Sequence, residues 1–190
     1  MDTLDKYIKI FENFLSHSVC DKIIDEYKDD ADWRYAEVGG SPNTNSLIDM
    51  SIRRVQQIGI STAAVIEKNR VARSALDSEL FAAAGKVIVN YNSLIECQLQ
   101  TDSGYDLLKY DVGCFYKTHT DNAPGVIRTL SCSFTLNDDY EGGEWEFFNG
   151  AMRVKPPKGS AIVFPSNFLY PHAITPVTKG TRLAIVTWFS

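Results

Sequence analysis

The spacing of apolar residues changes about halfway along this chain, from helical periods to short strand-length runs broken by turns. Tyr7 to Phe14 alternates like a short strand. Ser16 or Ser18 then stands where a hydroxyl can cap a helix running through Asp30, with Val19, Ile23, Ile24 and Tyr27 on one face. Trp33 to Val38 reads as a strand, ended by the turn-forming cluster Gly39-Gly40-Ser41-Pro42-Asn43. Leu76 to Ile95 is a second helix, with Leu80, Phe81, Ala84, Val87, Ile88 and Tyr91 at helical spacing, although Gly85 and the β-branched stretch Val87 to Val89 weaken it. From Tyr105 onward, short strands alternate with turns at Asn137-Asp138-Asp139, Gly142-Gly143, Asn149-Gly150, Pro156-Pro157-Lys158-Gly159 and Lys179-Gly180. Such punctuation is what an antiparallel barrel or sandwich requires, so the expectation is a mainly β molecule with flanking helices.

Composition narrows this picture. A chain of 190 residues that is 44% hydrophobic can bury one sizeable core. We therefore expect a single domain over residues 1–190, with helical and β support in 1–100 and the core in about 101–190. The formal charge of -5 argues against a sequence-independent nucleic-acid binder, which gains affinity from a basic surface. No apolar run is long enough to span a membrane, and Met1-Asp2-Thr3-Leu4-Asp5 lacks the start of a signal peptide, so a cytoplasmic protein is expected. Cys20, Cys97, Cys114 and Cys132 form no Cys-x-x-Cys pair and read as free thiols.

Candidate chemistry concentrates in a few residues. The stretch Tyr110-x-x-Gly113-x-x-Tyr116-x-x-His119-x-Asp121 is followed much later by His172 and then Arg182. Two imidazoles and one carboxylate on one face of an octahedral Fe(II) leave three positions open, enough for a bidentate co-substrate and dioxygen. On a strand, His119 and Asp121 share a face while Thr120 points away. Pro171 suits a strand edge or bulge beside His172. Arg182 enters the apolar run Leu183, Ala184, Ile185, Val186, where a guanidinium needs an anionic partner. Singly, each residue has an ordinary structural explanation; the chain holds only three histidines, however, and two of them fall in this set. The third, His17, is expected at the surface. Cys114 and Cys132 fall near the proposed metal, but the histidine and carboxylate set is complete without a thiolate.

The segments Tyr110 to Asn122, Arg128 to Asn137, Glu141-Gly142-Gly143-Glu144, Lys158 to Pro165 and His172 to Trp188 together resemble the prolyl 4-hydroxylase branch of the Fe(II)/2-oxoglutarate dioxygenases. That resemblance implies a double-stranded β-helix (jelly roll) core, with His119, Asp121 and His172 as the iron ligands and catalytic centre. It implies that Arg182 binds the distal carboxylate of 2-oxoglutarate, with Tyr110 donating its phenol to the same end. Tyr116, Arg128 and Trp188 match positions that face the substrate in such enzymes. The cofactor set implied is Fe(II), 2-oxoglutarate as co-substrate and O2, with ascorbate as an optional accessory.

The reaction implied is hydroxylation of a C–H bond, on a prolyl residue of a peptide or protein, with release of succinate and CO2; the retained Asp121 speaks against halogenation. Collagen-type members usually carry Lys where Arg182 stands and histidine where Ser190 stands, which keeps a free amino acid or small metabolite as the alternative substrate. Two readings from other classes remain: a zinc hydrolase site, which would not explain Arg182, and a non-catalytic jelly-roll metal-binding module. Gly39 to Ile60 is polar and reads as a solvated connection or as a lid, with Arg53 and Arg54 holding an acidic or peptide ligand.

Overall fold

The computed structural model describes residues 4–38, 47–61, 70–122, 125 and 127–190. The turn cluster expected at 39–43 lies outside them, as does the first part of the proposed lid. Helices and strands are numbered in chain order.

An antiparallel seven-stranded sheet organises the molecule. Its order is β1 (Lys9–Phe11), β11 (Ala161–Pro165), β7 (Leu130–Thr135), β14 (Arg182–Phe189), β5 (Asp106–Tyr110), β4 (Gln56–Gly59) and β2 (Arg34–Tyr35). A five-stranded sheet faces it, in the order β10 (Met152–Val154), β9 (Trp145–Phe147), β12 (His172–Ile174), β6 (Phe115–His119) and β3 (Arg53–Arg54). A small ribbon pairs β8 (Glu141–Gly142) with β13 (Val177–Lys179). Among the described residues, two α-helices complete the fold, α1 (His17–Tyr27) and α2 (Arg70–Ile95).

Side-chain alternation along the central strands explains the layering. In β7, Leu130, Cys132 and Phe134 join the core under the helices, while Ser131 and Ser133 line a cleft on the other face. In β14, Ile185 and Phe189 turn toward the helices, and Arg182, Val186 and Trp188 turn into the cleft. The large sheet is thus buried on both sides. One core lies between it and the helices, through residues such as Ile23, Tyr27, Leu80 and Val87. A second lies on the side of the small sheet, through Leu108, Phe164, Phe147 and Ile174.

Ser16 caps α1 as the sequence predicts, its hydroxyl accepting from the Val19 amide at 3.3 Å. The helix stops at Tyr27, short of Asp30. Residues 7–14 contribute only a three-residue strand, preceded by a 3-10 turn at Asp5–Tyr7, and the strand expected over 33–38 shrinks to β2. α2 begins earlier than the apolar period suggests, at Arg70. It buries Leu76, Leu80, Ala84, Val87 and Tyr91, whereas Phe81, expected on the inner face, is 66% exposed. The supposed loop at 39–60 contains two short strands near its end, because β3 pairs with β6 and β4 with β5. All four cysteines are free thiols, and no helix among the described residues is long and apolar enough to cross a membrane.

Candidate active site

The two histidines meet because β6 and β12 are neighbours. His119 ends β6, His172 begins β12, and the antiparallel register sets them directly opposite each other. The ladder shifts between His172 and Ile174, the irregularity that Pro171 foreshadows. Each imidazole is held by its Nδ1 to the carbonyl two residues earlier: His119 to Lys117 at 2.8 Å and His172 to Tyr170 at 3.0 Å. A donor at Nδ1 leaves the Nε2 lone pair free, the tautomer a metal ligand needs. Tyr116 stacks on the His119 ring with centroids 3.5 Å apart. Burial pushes the His172 pKa down to about 4, against the pull of Asp121, so the ring is neutral at neutral pH.

Asp121 is placed by a loop and not by the strand, a correction to the i, i+2 argument, since β6 stops at His119. The Asn122 amide donates to the Ser166 carbonyl, and Arg128 Nη1 donates to the Asp121 carbonyl at 3.1 Å. The two carboxylate oxygens then divide their work. Oδ1 lies 3.3 Å from His119 Nε2 and 3.7 Å from His172 Nε2. Oδ2 accepts from Ser131 Oγ at 2.6 Å and from Trp188 Nε1 at 3.0 Å. Burial alone would raise the carboxyl pKa; the neighbouring His172 and His119 and the Ser131 bond outweigh it and hold it far below the usual carboxylate range.

One ligand atom from each of His119, Asp121 and His172 therefore falls within 4.8 Å of the others. No cysteine belongs to that group among the described residues. Two neutral imidazoles and a carboxylate whose other oxygen is already committed form a donor set that fits Fe(II), with room left on the cleft side.

The same cleft contains the residues expected to hold the co-substrate. Arg182 is 2% exposed and stands opposite Tyr110 in the β14–β5 register. Its guanidinium packs 4.9 Å from the Tyr110 ring centroid and 5.6 Å from that of Trp145. Among the described residues it forms no ion pair, and its buried Nε has no hydrogen-bond partner. Ser133 Oγ and Trp145 Nε1, which line the same cleft, are likewise buried and unpartnered. A buried cation without an ion-pair partner among the described residues, and three unpartnered polar atoms around one cavity, suit a small anionic ligand. Burial raises the Tyr110 pKa, so its phenol stays protonated and able to donate.

Tyr116 and Trp188 line the cleft as expected. Arg128 packs 3.6 Å over the Trp188 indole, so it braces Trp188 and the Asp121 loop together. His17 is exposed, away from this site. Of the supposed lid, Arg53 lines the cleft while Arg54 is exposed. Sequence reasoning missed Ser131, Ser133 and Trp145. The alternation within Leu130 to Thr135, with hydroxyls at every second position of a buried strand, was the available signal.

Residues 105–190 match the family described as the 2OG-Fe(II) oxygenase superfamily. A PKHD-type hydroxylase of Picosynechococcus sp. is 33% identical over 132 residues, covering 65% of this chain and 59% of that protein. A PKHD-type hydroxylase of Alteromonas mediterranea is 44% identical over 72 residues, covering 35% of this chain and 31% of its own. The chain thus spans less than two thirds of these curated relatives. Among solved structures, the fold is similar to a prolyl hydroxylase from Trichoplax adhaerens in complex with a hypoxia inducible factor oxygen degradation domain peptide fragment. That match has a TM-score of 0.75 at 18% identity and covers 97% of this chain and 84% of the other. It is also similar to a Pseudomonas putida prolyl-4-hydroxylase, with a TM-score of 0.64, 22% identity, and coverage of 96% and 91%. The family match and the hydroxylase relatives are in keeping with the resemblance to 2OG-Fe(II) oxygenases over residues 105–190, and the structural matches bear out the jelly-roll fold.

Proposed function

We propose that this chain, whose residues 105–190 match the 2OG-Fe(II) oxygenases, is an Fe(II)- and 2-oxoglutarate-dependent hydroxylase acting on a prolyl residue of a peptide or protein. The carrying observation is the convergence of the His119, Asp121 and His172 ligand atoms in the cleft that also holds the buried Arg182, whose Nε has no hydrogen-bond partner and which forms no ion pair among the described residues. A zinc hydrolase or a non-catalytic metal-binding module would have no use for that cation. The prolyl substrate is supported by the prolyl hydroxylases among the structural neighbours, one of them in complex with a peptide.

When bound at the three ligands, Fe(II) supplies dioxygen activation that couples oxidation of 2-oxoglutarate to succinate and CO2 with insertion of one oxygen atom into a substrate C–H bond. The rest is the work of the chain. Nδ1 donation to backbone carbonyls fixes both imidazole planes, and Ser131 and Trp188 leave one Asp121 oxygen facing the cleft. Arg182 and Tyr110 hold the distal carboxylate of 2-oxoglutarate, which fixes how deep the co-substrate sits and so which side remains for the substrate. Phe164, Trp145 and Val186 make an apolar wall that limits water around them.

Succinate release tests the reading. The protein loaded with Fe(II) and given 2-oxoglutarate and proline-rich peptides is expected to form succinate and add one oxygen to a proline, read by mass spectrometry. Asp121→Ala is expected to abolish both. Arg182→Ala is expected mainly to raise the 2-oxoglutarate concentration needed for half-maximal rate, by about tenfold or more, as loss of a charged hydrogen bond implies. Full activity in Asp121→Ala, or an unchanged 2-oxoglutarate saturation curve in Arg182→Ala, would refute the assignment.

A further inference from the structure

Two arginines in one cleft keep a buried guanidinium nitrogen without a partner, and on the proposed reading 2-oxoglutarate uses only one of them. Arg182 Nε is the first; Arg53 Nε is the second. Arg53 sits on β3, opposite Tyr116 in the β3–β6 register. Its Nη1 donates to the Glu37 carbonyl at 2.8 Å, and its guanidinium lies 4.8 Å from the Tyr116 ring centroid, the ring that stacks on His119. The side chain is therefore held against the wall beside the metal ligands, with one N–H hidden from water and unused. Leaving such a donor unsatisfied is costly unless something arrives to accept from it.

The charges nearby favour an anion. Arg53, Arg34 and Arg128 all act on Asp106, the acidic residue at the start of β5, whose carboxyl is pushed up by burial against their combined pull. Arg128 is already committed, donating to the Asp121 carbonyl and stacking on Trp188. Among the described residues no carboxylate forms an ion pair with Arg53, so Asp106 offsets the group's positive charge only at a distance. On the proposed reading, one carboxylate of 2-oxoglutarate goes to the metal and the other to Arg182, which leaves Arg53 for the substrate.

We infer that Arg53 is a specificity residue that binds a carboxylate of the substrate, close to the carbon that is oxidised. This rests on the proposed hydroxylase reading for the direction of the reaction, but not for the anion site itself. The shared chemistry is a carboxylate flanking a five-membered ring. It comes either from the α-carboxylate of a free amino acid or from an acidic side chain next to a prolyl residue in a peptide. A planar guanidinium meets either through paired N–H donors.

The test uses two pairs of probes that differ only in this charge: L-proline against L-prolinamide, and N-acetyl-Pro-Asp-amide against N-acetyl-Pro-Asn-amide. Calorimetric titration into the protein holding Mn(II) and 2-oxoglutarate measures binding without turnover, and succinate release with Fe(II) measures turnover. The wild type is expected to bind the carboxylate member of one pair about tenfold or more tightly than its amide, the size a charge-assisted hydrogen bond supplies. Preference in the first pair assigns a free amino acid, and in the second an acidic peptide. Arg53→Gln is expected to erase the preference, Arg53→Lys to keep part of it, and both to leave 2-oxoglutarate saturation unchanged.

Equal binding within both pairs in the wild type overturns the inference, as does a preference that survives Arg53→Gln. A change in 2-oxoglutarate saturation with an unchanged preference assigns Arg53 to the co-substrate and equally overturns it. Absence of succinate from the wild type would instead count against the hydroxylase reading, while the calorimetric preference would still decide the role of Arg53.

Discussion

At the scale of single residues, the site depends on groups that never touch a ligand. Asp121 offers Oδ1 to a metal because its other oxygen is held by Ser131 at 2.6 Å and by Trp188 at 3.0 Å. Trp188 thus acts as a positioning residue for the carboxylate, in addition to lining the cleft. Trp188→Phe keeps an aromatic ring for Arg128 to stack on while it removes the N–H and part of the ring system, so the loss is read chiefly at the Asp121 carboxylate. Affinity for Fe(II) or Mn(II), measured by titration of the apoprotein, should fall about 10- to 100-fold, the usual loss when a partner of a metal ligand is removed. The 2-oxoglutarate requirement at saturating metal should stay close to wild type. A large change in that requirement with unchanged metal affinity would place Trp188 on the co-substrate side instead. The candidate metal donors, which the structure brings together, were legible in the sequence because histidine is rare in this chain and the spacing is distinctive. Ser131 and Ser133 were marked only by the alternation of hydroxyls along β7, and Trp145 by nothing local, because the cleft is what assigns each its neighbour.

Among the elements, legibility followed how far local sequence decides structure. Ser16 announced the start of α1 because an N-cap is a local hydrogen bond, and the turn-rich spacing after Tyr105 announced the strands for the same reason. β3 and β4 escaped notice because Arg53, Arg54, Gln56 and Gln57 show no apolar alternation; they are strands by virtue of pairing with β6 and β5. Phe81 misled because its spacing fits the inner face of α2 while the helix presents Leu80 and Ala84 to the core instead. The Gly142-Gly143 pair was read as a turn, and its reason is tertiary. Gly143 has φ +61°, and a Cβ there would stand 3.0 Å from Arg182 Cδ and 3.0 Å from Val177 Cγ2. The β8–β13 ribbon therefore makes room for Arg182. Gly143→Ala is expected to cost about 1–3 kcal/mol, as overpacking of a filled site does. It should also raise the 2-oxoglutarate requirement while sparing metal binding, because Arg182 is one of the two nearest groups and has the longer, more flexible side chain. Denaturant unfolding and 2-oxoglutarate titration check both halves; a variant with normal co-substrate affinity would show that Val177 yields and Arg182 does not.

Across the whole molecule, the proposed metal donors and the proposed co-substrate anchor come from different sheets. His119 and His172 stand on adjoining strands of the small sheet, whereas Arg182 and Tyr110 stand on paired strands of the large one, and the cleft lies between. A ligand that spans the metal and Arg182 therefore ties the two sheets together, and the apoprotein lacks that tie. Both ligands bind only the folded arrangement, so each should stabilise it by mass action. If 2-oxoglutarate grips both sheets only when its metal-facing end has a metal to meet, the two stabilisations are coupled and reciprocal. The expected result is a thermal-melting shift from Mn(II) and 2-oxoglutarate together that exceeds the sum of their separate shifts. Succinate, which carries two carboxylates but no 2-oxo group to chelate with, should show less of this excess. Arg182→Ala should remove the excess while leaving the Mn(II) shift intact, and Asp121→Ala should remove both. Additive shifts in the wild type would mean that the two sheets are already locked together and that Arg182 binds its anion independently of the metal.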